Sequence, residues 1–250
     1  MPPRNSPAPT DLAREAVARL RSMADPECAR QSRTFFKQVD EVDLLGIKTA
    51  PIRALARELH QRIAPAWRVS EAVAFADLLV RSRHFESKAL GLTVLGRFRD
   101  SYPRSLLATT RKWIADGHLC NWAAIDTVAP VVLTPLAARY PQLEPRLIGW
   151  SRARSQWLRR AAVVAFVLPA RRGERLVQAY ALVAALLSDP EDLMHKACGW
   201  LLREAGKTDM PRLERFLLRH GPAIPRTTVR YAIERFPPRR RKQLLEQTRG

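Results

Sequence analysis

The segment NWAAIDTVAP places a carboxylate and an aromatic ring on one helical face. Trp122 and Asp126 are four residues apart, which is one helical turn. Asp is a weak helix former, and here it lies close to the point where Pro130 should kink or end the helix. A carboxylate near a helix C-terminus also opposes the helix dipole. We interpret Asp126 as a functional candidate; the alternatives are that it caps a backbone group freed by Pro130 or pairs with an arginine.

A longer segment, DLMHKACGWLLREAGK, is predicted to form an amphipathic helix. One side carries three cations and one ring: Lys196, Trp200, Arg203 and Lys207. The other side is apolar and is predicted to face the core: Leu193, Ala197, Leu201 and Ala205. A ring among cations on an exposed face suits contact with a sugar-phosphate strand. The alternative is that Trp200 packs under the aliphatic stems of its basic neighbours.

Two pairs of arginines lie on other segments with helical periodicity. Arg159 and Arg160 are adjacent in SQWLRRAAVV, and Arg226 and Arg230 are four residues apart in PRTTVRYAIERF. Such a pair by itself more often marks a solvated helix face than a binding site. Guanidinium groups nevertheless make bidentate contacts with phosphate, so all four are candidate DNA contacts.

The charge of the chain favours a nucleic-acid partner. Lys and Arg total 43 against 24 Asp and Glu, which gives a net charge of +19, and only seven of the 43 are Lys. An excess of arginine on this scale indicates binding to phosphates. The alternative is a genome biased toward Arg codons, with many arginines only solvating helix faces.

The apolar residues recur with helical spacing along the chain, and no strand-like alternation is visible. The pattern predicts about fourteen helices, with Thr10, Thr49 and Ser70 as N-caps. Paired helices would form units of about 35 residues, which is typical of helical-hairpin solenoids; the alternative is an irregular all-α globule. We expect one domain over residues 10–250, preceded by a disordered tail, 1–9.

Motifs of other enzyme classes are absent from the sequence. It has no Gly-rich phosphate loop, no GxSxG, no HExxH and no Cys/His nucleophile pair. Three distant cysteines without ligand spacing predict a reducing cytoplasm and no structural zinc. No secretory signal is recognised at the N-terminus, and no apolar run approaches the ~20 residues of a membrane span. We expect a monomer with no metal, no cofactor and no membrane contact, so any chemistry must use lone carboxylates.

From about Leu44 to Phe236, the chain resembles the bacterial DNA alkylation repair glycosylases of the AlkD type. LLGIKTAPIRALA resembles the family's LGI segment, and NWAAIDTVAP resembles its W-x3-D motif followed by Pro. SQWLRRAAVV is similar to a W-x-x-RxA segment. HKACGWLLREAGK and PRTTVRYAIERF match two C-terminal motifs and carry the resemblance furthest.

This resemblance implies an all-α, HEAT-like helical-repeat solenoid whose concave groove binds duplex DNA. It also implies base excision repair by a glycosylase that releases cationic N3- and N7-alkylpurines without obligatory base flipping, bulky adducts included. Catalysis would fall to Asp126, with Trp122 and Trp200 cradling the backbone and Arg160 in the active site. The cations expected to contact DNA are Lys196, Arg203, Lys207, Arg159, Arg226 and Arg230. A bacterial, cytoplasmic protein associated with the nucleoid is expected.

The chain departs from the family pattern in two places. Ala123 follows Trp122 where many members carry an acidic residue, and SRTFFKQVDEVDLLG matches an aromatic, Lys-rich entry segment only loosely. Two other functions stay open: a non-catalytic DNA-binding paralogue on the same scaffold, and a protein-binding HEAT scaffold. The second would predict an apolar or mixed-charge groove.

Overall fold

The computed structural model describes residues 6–36 and 42–249. These residues fold into helices, and among them the only β structure is an isolated bridge between Asp43 and His84. The predicted all-α class is confirmed. The chain divides into two compact units, residues 1–136 and 137–250. A single domain over residues 10–250 stays a prediction.

Seven α-helices precede the boundary, and an eighth contains it. They are α1 Pro9–Ser22, α2 Pro26–Arg33, α3 Thr49–Ile63, α4 Val69–Val80, α5 Phe85–Leu95, α6 Leu106–Ala115, α7 Trp122–Val128 and α8 Thr134–Arg139. A π-helical segment, Ala129–Leu133, joins α7 to α8. Two short 3₁₀ helices, Thr34–Phe36 and Gly96–Ser101, complete the first unit.

The second unit contains eight further α-helices. They are α9 Glu144–Gly149, α10 Gln156–Val164, α11 Val167–Arg171, α12 Leu176–Ala184, α13 Asp192–Ala205, α14 Met210–His220, α15 Arg226–Ala232 and α16 Pro238–Gln247. Its 3₁₀ helices are Pro141–Leu143, Trp150–Arg152 and Gly221–Ala223.

The three predicted N-caps are wrong by one or two residues. Helix α1 begins at Pro9, α3 at Thr49 and α4 at Val69, so Thr10, Thr49 and Ser70 all lie inside the first turn. A proline with its fixed φ is well suited to the first turn, which explains the early start of α1. In α4 the Glu71 carboxylate accepts from the Arg68 N–H, and this contact extends the helix backwards.

The predicted tail lies partly outside the described residues. Its described part, residues 6–9, is held against the first unit because the Trp67 indole donates to the Pro7 carbonyl over 3.1 Å. Ordered structure therefore begins before Thr10.

The turn at Leu45–Ile47 explains the LGI segment. The buried Glu86 carboxylate of α5 accepts from the three backbone N–H groups of this turn, at 2.8 to 3.3 Å. Gly46 has φ +80°, and a Cβ there would lie 2.0 Å from the Asp25 carbonyl oxygen and 2.5 Å from the Ala29 nitrogen. Only glycine fits, and the turn fastens α2 against α5.

Helix α5 lies in the core of the first unit, and its Lys88 is buried. The ammonium donates to the carbonyls of Val80, at 2.8 Å, and His118, at 2.7 Å. Burial lowers the pKa of Lys88. The His118 carbonyl belongs to the loop that leads into α7, so Lys88 holds that loop in place.

Helix α13 lies in the core of the second unit. Of its four predicted core residues, Ala197, Leu201 and Ala205 are fully buried, whereas Leu193 is only partly buried. The helix packs closely on α15 at Gly199. A Cβ on Gly199 would lie 2.5 Å from the Tyr231 Cβ and 2.7 Å from the Thr228 carbonyl oxygen. The segments HKACGWLLREAGK and PRTTVRYAIERF, which are separated in the sequence, therefore form the two sides of one helix–helix contact.

Candidate functional site

The start of α7 is fixed by a cap and by an aromatic stack. The Asn121 side chain accepts from the Ala124 N–H at 2.8 Å. Trp122, the first residue of α7, stacks on Phe36 with ring centroids 5.2 Å apart and planes 23° apart. Phe36 in turn lies 6.3 Å from the Phe85 ring. Phe36 therefore covers one face of the Trp122 indole, and the tryptophan remains only partly buried.

Asp126 lies one turn after Trp122, immediately before the helix changes its hydrogen-bonding pattern. Pro130 has no N–H to donate to the Asp126 carbonyl, and its ring would clash with that carbonyl in a regular α-helix. The chain widens into the π segment instead of ending, with the Tyr102 hydroxyl 3.2 Å from the Val131 carbonyl oxygen. Single π turns are frequent at functional sites. Trp122 and Asp126 are both partly exposed, whereas Ile125 is fully buried.

The cations of the α13 stripe each lie next to a carboxylate. Lys196 pairs with Asp192 at 2.7 Å, and Lys207 pairs with Glu204 at 2.6 Å. Arg203 pairs with Glu234 from the segment that follows α15. Trp200 is half-buried between them. Each of the three cations therefore already has an anionic partner within the protein.

Glu204 is the centre of this network. Its side chain is only 2% exposed, and it accepts from both Lys207 and Arg171, each at 2.6 Å. Burial alone would raise the pKa of Glu204, but these two hydrogen bonds and charges outweigh it, so the pKa lies below its usual value. The carboxylate stays ionised and links α11 to α13.

The arginines of α10 are turned into the second unit. Arg159 forms a two-pronged pair with Asp189, at 2.6 and 3.2 Å, and also donates to the carbonyls of Ala153 and Arg154. Arg160 is 5% exposed and donates to the Leu193 carbonyl at 2.5 Å. Arg160 therefore holds the first turn of α13, and Arg159 holds the segment that precedes it. Their contacts with DNA stay predictions.

The arginines of α15 differ from each other. Arg226 donates to the carbonyls of Leu245 and Thr248 and to the Thr248 hydroxyl, at 2.9 to 3.2 Å, so it ties α15 to α16. Burial, together with the charges of Arg249 and Arg230, lowers the pKa of Arg226. Arg230 is exposed. Of these two, Arg230 is the better placed to meet an external phosphate.

Several residues that shape the site were missed by the sequence analysis. Phe36 supports Trp122 across 86 residues of chain, and Asp189 and Glu204 neutralise arginines about 30 residues away. The spacing of neighbouring residues in the sequence does not indicate such distant pairs. The one available signal was the acidic residue in LLREAGK, which lies within a basic stripe.

The sequence profile of the DNA alkylation repair enzyme family matches residues 16–236. This chain belongs to that family. The predicted resemblance at family level is confirmed.

Among solved structures, the chain is similar to a predicted DNA alkylation repair enzyme from Enterococcus faecalis, with a TM-score of 0.74 and 14% identity. The alignment covers 86% of this chain and 98% of that one. At this identity the likeness concerns the fold. A comparison with curated proteins found no match.

The described residues contain no group of three or more His, Cys, Asp or Glu side chains arranged to hold a metal ion. None of the described helices is long and apolar enough to cross a membrane.

Proposed function

We propose that the protein is a DNA glycosylase that hydrolyses the N-glycosidic bond of N3- and N7-alkylated purines in duplex DNA. The observation that carries this proposal is the pairing of Trp122 with Asp126 on α7, in a member of the DNA alkylation repair family. The ring is held by Phe36, and the carboxylate lies where the helix widens.

The chemistry needs little from the protein. Alkylation at N3 or N7 makes the purine cationic, so it leaves with the bonding electron pair and becomes neutral. The sugar passes through an oxocarbenium-like state, which a nearby carboxylate stabilises. Water then adds to C1′ and loses one proton, which Asp126 accepts and passes to solvent. A lone carboxylate is sufficient because the leaving group needs no general acid.

The aromatic rings are proposed to hold the damaged strand. Trp122 would present one indole face to the sugar edge while Phe36 supports the other. Trp200 on α13 is half-buried among cations and is suited to the same task. Arg160 would act on the phosphate from its buried position, and Arg159 is better described as a positioning residue for α13.

Contacts of this kind address the backbone and sugar, so the base need not be enclosed. A glycosylase that extrudes the base must fit the adduct into a pocket, and bulk is then excluded. Here a bulky adduct could remain in the groove. We propose that a bulky cationic N3-adenine adduct is released within about tenfold of the N3-methyladenine rate, or ~1.4 kcal/mol in barrier.

The test is incubation of the protein with duplex DNA containing N7-methylguanine, followed by an assay for free base. A parallel time course compares duplexes that differ only in the N3-alkyl group of one adenine. Release of free base supports the glycosylase. Release of the methyl adduct without the bulky one would show an enclosing pocket, and no release from any duplex would overturn the proposal.

One observation favours a different function. The α13 stripe carries three carboxylates beside its three cations, which gives the mixed charge expected of a protein-binding scaffold: Asp192, Glu204 and Glu234. Asp192 and Glu234 are half-exposed, and exposed ion pairs are worth only about 0–1 kcal/mol, so phosphates could replace these two carboxylates at little cost. Binding to duplex DNA that falls steeply with salt would decide for DNA.

A further inference from the structure

Lys88 is a buried cation that reaches the loop before α7. The residue is 8% exposed, and its ammonium donates to two backbone carbonyls, of Val80 at 2.8 Å and of His118 at 2.7 Å. Burial lowers the pKa of Lys88, and among the described residues the charge that opposes this comes from the Cys120 side chain rather than from a carboxylate. Burial of a cation without a carboxylate partner is costly. A cation retained at that cost is a functional candidate.

The carbonyl that Lys88 holds belongs to the loop that leads into α7. The imidazole of the same residue, His118, lies 3.4 Å from the Arg81 guanidinium, so this residue is held at both its backbone and its side chain. Asn121 follows in the loop and caps α7, and Trp122 is the first residue of that helix. The position of the loop therefore determines where the backbone of Trp122 lies.

The first turn of α5 supports Trp122 by a second route. Phe85, the first residue of α5, has its ring 6.3 Å from the Phe36 ring, and Phe36 stacks on the Trp122 indole. Phe85 and Lys88 are three residues apart, within one turn of the helix. Trp122 is therefore supported at its ring through Phe36 and at its backbone through the loop, and both supports begin in one turn of α5.

We propose that Lys88 is a positioning residue: by fixing the His118 carbonyl, it sets Trp122, and with it Asp126 one turn later, in the orientation that the damaged strand requires. A side chain without donors would leave two buried carbonyls unpaired and the loop free to shift. A displacement of about 1 Å at reacting groups is enough to slow a reaction strongly. This inference rests on the proposed function, since the reaction that Lys88 serves is the release of alkylpurines.

The first measurement separates the rate of reaction from DNA binding. Lys88→Met occupies similar space without a donor. It should slow single-turnover release of N7-methylguanine about tenfold, while affinity for undamaged duplex stays within about twofold of wild type. Lys88→Arg keeps the charge and the donors and should restore most of the rate. Lys88→Gln is too short to reach both carbonyls, so the same slowing is expected of it should Lys88→Met fail to fold.

Hydrogen exchange gives a readout that does not depend on the reaction. In Lys88→Met, the Ala124 N–H, which donates to the Asn121 cap, should exchange faster than in the wild type, together with its neighbours in residues 118–124. The control is Thr110→Val, because the Thr110 hydroxyl is buried and donates to the Leu106 carbonyl at 2.8 Å within α6. This variant loses a buried hydrogen bond of the same unit and should change neither the rate nor the exchange.

The outcomes distinguish failure of this inference from failure of the glycosylase. An unchanged rate of release in Lys88→Met would overturn the positioning role, as would exchange over 118–124 equal to that of the wild type. Equal slowing by Thr110→Val would also overturn it, because the effect would then follow from stability in general. If the wild type releases no alkylpurine but exchange is faster in Lys88→Met, the glycosylase fails and the positioning of α7 by Lys88 stands.

Discussion

The two regions that carry the candidate residues place their functional side chains in different surroundings. On α7, Asp126 lies one turn from a tryptophan that is supported by another ring. On α13, every cation of the stripe has a carboxylate within 2.7 Å, and the buried Glu204 pairs with both Lys207 of the stripe and Arg171 of α11. The arrangement on α7 suits stabilisation of a charge that develops at one atom of the substrate. The arrangement on α13 suits a rigid surface whose cations can exchange one anionic partner for another. The α13 stripe is therefore not a simple positive patch.

The largest effect is expected on α7. Asp126→Asn should slow single-turnover release of N7-methylguanine by about 10²–10³, because one electrostatic stabiliser of the transition state is lost. DNA affinity and melting temperature should stay close to wild type. Asp192→Asn on α13 is the matched control and should change the rate by less than a few-fold. Equal effects of both substitutions would erase the distinction between the two regions.

The contact between α13 and α15 should tolerate no added atom. Gly199→Ala places a Cβ 2.5 Å from the Tyr231 Cβ and 2.7 Å from a backbone oxygen, so the helices must move apart. We expect a loss of about 3 kcal/mol in the free energy of unfolding, measured by chemical denaturation. Gly149→Ala, with nothing within 4 Å of the new Cβ, should be nearly neutral. An unchanged stability in Gly199→Ala would mean that α15 is not packed as described.

Charge balance on α13 should appear as a pH dependence. Because the folded pKa of Glu204 lies below its unfolded value of about 4.3, its contribution is complete above that pH and is lost as the pH falls through the folded pKa. Glu204→Gln should therefore cost about 2 kcal/mol at pH 7, and the gap to wild type should close as the pH falls through the folded pKa of Glu204. Thermal unfolding between pH 3 and 7 measures this. A gap that does not change with pH would assign the loss to packing.

The smallest effect distinguishes two cations of the second unit. Arg230 is exposed, whereas Lys196 already has Asp192 at 2.7 Å. Arg230→Ala should flatten the slope of log K against log salt by about one unit, the value for one lost phosphate contact. Lys196→Ala should flatten it by less, because Asp192 competes with the phosphate. Equal slopes for both variants would show that the Lys196 ion pair opens fully on binding.

The sequence predicts the helices well because burial of one helix face requires apolar residues at helical spacing. Helix α14 begins at Met210 and ends at His220, as its pattern indicates. The caps were wrong because a proline, in α1, and a glutamate, in α4, begin the helix earlier than the hydroxyl residue would. Candidate residues were found from type and spacing.

The environment of those residues could not be predicted. In the sequence Arg159 looks like Arg230, since both are arginines in helical segments of a basic chain. In the structure, however, Asp189, thirty residues away, accepts a hydrogen bond from the Arg159 guanidinium. The stack of Phe36 on Trp122 likewise depends on the folded chain. The spacing of apolar and polar residues indicates which side of a helix is exposed to solvent. It carries no information about which distant group comes to lie there.

The π segment after α7 also determines the direction in which the side chains of α8 point relative to those of α7. In a regular α-helix each residue advances the side-chain direction by about 100°, and a π turn uses more residues per revolution. Trp122 and Asp126 lie before the segment, and Thr134 begins α8 after it. Deletion of Pro130 would remove both one residue and the ring that clashes in a regular α-helix, and α8 would then be rotated by about 100° relative to α7. The extra residue and the proline together keep the two helical faces in their present directions.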